Sequence, residues 1–99
     1  MNAEEKLKKM RCKLLSMQLA LENYEDDNGT KTSLIEEGHI ALGKFRDECL
    51  SMSSEEQLKK ANDIIKIYNK AFDLIGRDNF IFYDDGDINY IWKGKKNNE

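Results

Sequence analysis

The sequence predicts an α+β fold that is mostly α: a three-helix bundle followed by a C-terminal two-stranded antiparallel β-hairpin. Three observations lead there. Apolar residues recur at spacings of three and four from Leu7 to Ile75, which is the period of an amphipathic helix. The period changes to two between Phe80 and Trp92, around an Asp-Gly pair, the strongest short-range hairpin signal. The 99 residues contain no proline, so helices must be ended by glycine, caps and polar turns.

The first helix is expected over about residues 3–24. Leu7, Met10, Leu14, Met17, Leu21 and Tyr24 form its seam, and Leu15 and Leu19 widen the apolar face enough to serve two neighbours. The run Glu25-Asp26-Asp27-Asn28-Gly29 is expected to end it as a turn, since Asn, Asp and Gly tolerate left-handed backbone. A second helix is expected over about 33–50, opened by Ser33 with Glu36 in a capping box. Its seam is Ile35, Gly38, Leu42, Phe45, Cys49 and Met52. Gly38 lies on that seam, where it permits close approach of a neighbouring element. Ser53 and Glu56 repeat the capping-box pattern before a third helix over about 54–75. Leu58, Ala61, Ile65, Tyr68, Phe72 and Ile75 form its seam. Ile64, Ile67, Ala71 and Leu74 extend it, which marks this helix as the central one. Gly76 is its natural C-cap.

The hairpin is expected over about 79–92, from Phe80-Ile81-Phe82-Tyr83 to Ile88-Asn89-Tyr90-Ile91-Trp92. A two-residue Asp85-Gly86 turn would pair Asp84 with Asp87, Tyr83 with Ile88, Phe82 with Asn89 and Ile81 with Tyr90. One face would then carry Ile81, Tyr83, Ile88, Tyr90 and Trp92, and the other Phe80, Phe82, Asn89 and Ile91. Residues 93–99 read as a flexible tail, and the chain as one domain spanning 1–99.

Composition narrows the function. Hydrophobic content is 39% and charged content 35%, a globular balance with a heavily charged surface. No apolar run reaches the ~20 residues of a membrane span, and the charged N-terminus lacks the apolar stretch of a secretory signal. A cytoplasmic protein is expected, with Cys12 and Cys49 as free buried thiols. The net charge of −3 is unevenly spread: residues 21–56 carry ten acidic and three basic groups, and residues 78–92 four acidic and none basic. That balance argues against broad electrostatic binding of nucleic acid. Lys59, Lys60, Lys66, Lys93, Lys95 and Lys96 are the residues that would form any local basic patch. Helix–helix–helix–hairpin order also occurs in winged-helix regulators, which makes nucleic-acid binding the alternative reading.

No enzymatic constellation is present, so no catalytic residue, cofactor or metal ligand is assigned. His39 is the single histidine and reads as structural, with no nucleophile and orienting acid in register. Two separated cysteines and one histidine do not make a zinc pattern. An EF-hand loop aligned on Gly29 would place Tyr24 and Ile35 where acids are required. Adjacent carboxylates such as Glu36-Glu37, Asp47-Glu48 and Glu55-Glu56 diverge around a helix.

The hairpin carries the functional expectation. A ribbon covered on one side should show one polar face, yet both faces here are apolar or aromatic. Phe80, Phe82, Tyr83, Tyr90 and Trp92 are the candidate contact residues, since aromatics concentrate at interface hot spots. Asp84, Asp85 and Asp87 would steer the hairpin to a basic surface. The expected function is a small acidic protein-binding module, an inhibitor, adaptor or immunity-type protein, acting by occupying a surface of a larger protein. Self-association is the third expectation, a homodimer through the helix 1 seam.

Overall fold

The computed structural model describes residues 2–85 and 87–94, without the side chains of 84, 85 and 87–89. Three helices, α1 (Ala3–Asn28), α2 (Ser33–Glu48) and α3 (Ser54–Ile75), precede two strands, β1 (Phe80–Asp85) and β2 (Asp87–Trp92). Single 3-10 turns follow α2 and α3, at Cys49–Ser51 and Arg77–Asn79. The architecture is the mostly-α α+β fold that the periodicity predicts.

α3 occupies the centre, with α1 on one side and α2 on the other, and β2 lies against α1. The molecule is a thin slab of 49 × 29 × 17 Å. Its core runs through Leu7, Leu14, Met17 and Leu21 of α1, Ile35, Leu42 and Phe45 of α2, and Ala61, Ile64, Tyr68 and Phe72 of α3. The predicted seams of the first and third helices are thus spent inside one chain.

α1 runs one turn further than expected, to Asn28. Gly29, in the left-handed region at φ 61°, supplies the C-cap, so the whole acidic run stays helical. The Asn28 side chain donates to the Tyr24 carbonyl (2.8 Å), and the Thr30 N–H donates to that of Glu25 (3.2 Å). These bonds close carbonyls that a helix end leaves open.

The two expected capping boxes fare differently. At α3 both halves form: the Glu56 N–H donates to Ser53 Oγ, and the Ser53 N–H donates to Glu56 Oε1, each at 3.2 Å. At α2 the box is absent. Thr32 is the N-cap and makes no side-chain bond; its own N–H donates to Glu25 Oε2 at the end of α1 (2.9 Å). A tertiary acceptor replaces the local one.

Three of the apolar residues expected on the faces of the first and third helices do not enter the core. Leu15 and Leu19 are 48% and 50% exposed, and Leu74 is 67% exposed. In a slab one layer thick, even the central helix has neighbours on only part of its circumference, so the buried stripe is narrower than the apolar one. Cys49 is half-buried and Cys12 exposed, both free, which corrects the expectation of buried thiols.

Gly38 is placed as its seam position suggests. A Cβ built there would overlap the Tyr68 ring, 2.7 Å from Cδ1, and Tyr68 is 0% exposed and cannot yield. Gly43, on the same helix, has nothing within 4 Å of such a Cβ. The two alanine substitutions therefore act in opposite directions. Gly38→Ala lowers unfolding free energy by about 1–3 kcal/mol through overpacking, and Gly43→Ala raises it by about 0.5–1 kcal/mol through helix propensity. Urea unfolding of both variants measures the pair.

Candidate functional site

The hairpin register differs by one residue from the expected one. Phe80 pairs with Trp92, Ile81 with Ile91, Phe82 with Tyr90, Tyr83 with Asn89, Asp84 with Ile88 and Asp85 with Asp87. A one-residue shift exchanges the faces of one strand relative to the other. Phe80, Phe82, Tyr90 and Trp92 therefore share one face, and Ile81, Tyr83 and Ile91 the other. The physical reason is the gain from collecting all four rings on the side that meets the helices.

That inner face builds an aromatic cluster on α3 and α1. Phe72 of α3 is stacked with Tyr90 (centroids 5.3 Å, 21°) and meets Phe80 and Phe82 edge-on at 4.7 and 5.7 Å. Tyr24 of α1 meets Trp92 edge-on at 5.1 Å. Edge-to-face pairs of this kind each contribute about 0.5–1.5 kcal/mol beyond area burial. The Arg77 guanidinium lies 5.5 Å from the Phe82 centroid while its Nε donates to Asp73 Oδ1 (2.7 Å).

Polar contacts seat β2 on α1. The Ser16 hydroxyl accepts from the Tyr90 N–H (2.7 Å) and lies 3.4 Å from its carbonyl. Trp92 Nε1 donates to Asp27 Oδ2 (2.6 Å). The ladder continues past β2, where the Lys93 N–H donates to the Asn79 carbonyl (3.1 Å), and Lys93 Nζ donates to the Asp78 carbonyl (2.6 Å). Lys93 is thus tied down, contrary to a tail beginning there.

These bonds set the parity of the ladder. The Lys93 N–H points across to Asn79, whose own N–H donates to the Gly76 carbonyl (3.1 Å), and Tyr90 turns its backbone outward to Ser16. Hydrogen-bonded and non-hydrogen-bonded pairs alternate in antiparallel strands, so Phe82 also turns its N–H and C=O outward, to the free side of β1.

The predicted contact residues consequently divide. Phe80 is 3% exposed and belongs to the core, while Tyr90 and Trp92 are partly buried against it. Phe82 is 37% and Tyr83 47% exposed. The side chains of Asp84, Asp85 and Asp87 lie outside the described residues, as do Gly86, Lys95 and Lys96. Ile81 (36%) and Ile91 (45%) join Tyr83 on the outer face; alternation from the true register, which the sequence leaves open, is the signal that finds them. Lys59, Lys60 and Lys66 are exposed on α3, but helical spacing interleaves them with Asp63 and Asp73, so they make no continuous basic face.

A second cluster joins the three helices. His39 Nδ1 lies 2.8 Å from the Tyr68 hydroxyl of α3. Its Nε2 lies 4.0 Å from both Glu22 Oε2 and Glu25 Oε1 of α1, buried and without a hydrogen bond. Burial, and then the Glu22 carboxylate, push the Tyr68 phenol well above its ordinary value near 10; Arg46 opposes and Glu25 adds. Among the described residues, no three His, Cys, Asp or Glu are arranged to hold a metal ion, and no helix is long and apolar enough to cross a membrane. No family model, curated protein or solved structure matches the chain.

Two outcomes follow from this geometry. Trp92→Ala costs about 2–4 kcal/mol of stability, because it removes a packed indole together with the Asp27 bond; urea unfolding measures the loss, and hydrogen exchange shows α1 fraying at its C-terminal turn. Tyr68 holds its proton in the fold while the unfolded chain releases it near pH 10. Its contribution to stability is therefore full below pH 10 and declines above it. Urea midpoints between about pH 9 and 12 should fall for the wild type and fall less steeply for Tyr68→Phe.

Proposed function

We propose that this chain is a protein-binding module and not an enzyme, acting through the outer face of its hairpin to occupy a surface of a larger protein. The observation that carries this reading is the exposure of Ile81, Tyr83 and Ile91 on a two-stranded ribbon whose other face is already filled by the aromatic cluster. Adjacent exposed apolar side chains on a strand pair mark an interaction surface rather than scattered surface residues. The unpaired outer edge of β1 adds backbone groups that a partner segment could meet by strand addition. Residues 78–92 carry four acidic groups and no basic one, which suits a partner with a basic surface and a fast encounter. The reading as an inhibitor, adaptor or immunity-type protein, and the cytoplasmic setting, belong to the same proposal.

Affinity capture from a source lysate at two salt concentrations, with and without nuclease, compares the wild type with Tyr83→Lys. The expected result is a stoichiometric protein that survives nuclease and is lost with Tyr83→Lys. That variant should retain stability within about 0.5 kcal/mol, as exposed substitutions do. Nucleic acid recovered alone, and lost at higher salt, would replace this reading with the nucleic-acid one.

A further inference from the structure

We propose that the outer side of α1 pairs antiparallel with the same side of a second copy, forming a two-fold homodimer. At about 100° per residue, Lys8, Arg11, Leu15, Leu19, Glu22 and Asp26 fall on one face of α1. It is not the seam from which self-association was expected, because Leu7, Leu14, Met17 and Leu21 are buried in the chain's own core. The face is turned away from Ala20 and Tyr24 on the hairpin side, and Ser16 lies at its border. Leu15 and Leu19 stand 48% and 50% exposed at its middle. Leu50, 96% exposed, stands beside Leu15 on a groove of about 500 Å3 between α1 and the end of α2.

The occupant follows from the order of charges. From Lys8 to Asp26 this face reads basic, basic, leucine, leucine, acidic, acidic, with Glu4 one turn before it. Turned end for end about the level of Met17, it complements itself. Leu15 then meets Leu19 of the second copy, Lys8 meets Asp26 of the second copy, and Arg11 comes level with Glu22 of the second copy. A parallel pairing would set like charges against each other, so the charges also choose the direction. Each of these interactions occurs twice, as an isologous interface requires. Within one chain these charges are poorly served. Lys8 and Asp26 have no ion-pair partner among the described residues, the Arg11 guanidinium donates to the neutral Gln57 amide (2.8 Å), and Glu22 has only the 4.0 Å approach of His39. The dimer uses none of the outer-face residues of the hairpin and stands independently of the hairpin reading.

Sedimentation equilibrium over roughly 1 µM to 1 mM, a range that brackets weak to moderate self-association, tests the proposal. The wild type should dimerise reversibly. Lys8→Glu should raise the dissociation constant about tenfold, since the axis counts each altered exposed pair twice. Lys8→Glu combined with Asp26→Lys should restore the wild-type constant, and circular dichroism should show each variant folded. A second measurement needs no variant: carbodiimide cross-linking of a mixture of 14N- and 15N-labelled wild-type protein should yield isotopically mixed Lys8–Asp26 peptides. A monomer throughout the range overturns the proposal. So does a dimer indifferent to Lys8→Glu, one not rescued by the charge exchange, or one cross-linked only elsewhere.

Discussion

The fold depends on how α2 accepts Tyr68. This tyrosine sits at the middle of the central helix with no exposed surface, so its ring needs room and its hydroxyl needs a partner. Two adjacent residues of α2 supply both. Gly38 presents bare backbone where any side chain would strike the ring, and His39 offers Nδ1 to the hydroxyl. An unpartnered buried hydroxyl costs about 1–3 kcal/mol, so the glycine and the histidine work as a unit. Once α2 is seated, its N-terminal end comes within reach of α1, where Glu25 accepts the Thr32 N–H and shares the approach to His39 with Glu22.

Much of this was legible in the sequence. Spacing of three and four located the helices because burial on one side imposes that period. Ser53 with Glu56 marked the start of α3 because a capping box needs only residues near in sequence. Gly38 could be suspected because a glycine on a seam has few other uses. Tertiary choices were hidden. Ser33 and Glu36 carry the same local pattern as Ser53 and Glu56, yet α2 takes its cap contact from α1 instead. Leu15 and Leu19 look like core residues until the slab shows them half exposed at its rim.

The hairpin illustrates the same division at the candidate site. Its existence followed from β-branched and aromatic runs around Asp85-Gly86. Its register did not, because Asp84-Asp85-Gly86-Asp87 accommodates either pairing locally. The decision came from Phe72, whose ring gathers Phe80, Phe82 and Tyr90. That single slip moved Trp92 and Tyr90 from the expected contact surface to the packed one and brought Ile91 out beside Ile81 and Tyr83. A surface assigned by residue type alone would have selected the side chains that hold the hairpin in place.

The last turn of α1 places Glu25, Asp26 and Asp27 at the negative end of the helix dipole with no basic residue beside them, an arrangement unfavourable on its own. Its relief comes from far along the chain. Asp27 takes its proton donor from Trp92, 65 residues later, and Ser16 in the same helix meets Tyr90, 74 residues later. Contacts so distant in sequence are slow to form. The core seam of α1 closes on α3, but its acidic last turn gains its side-chain donor only when residue 92 is in place, so the two ends of one helix are secured by segments of very different sequence distance.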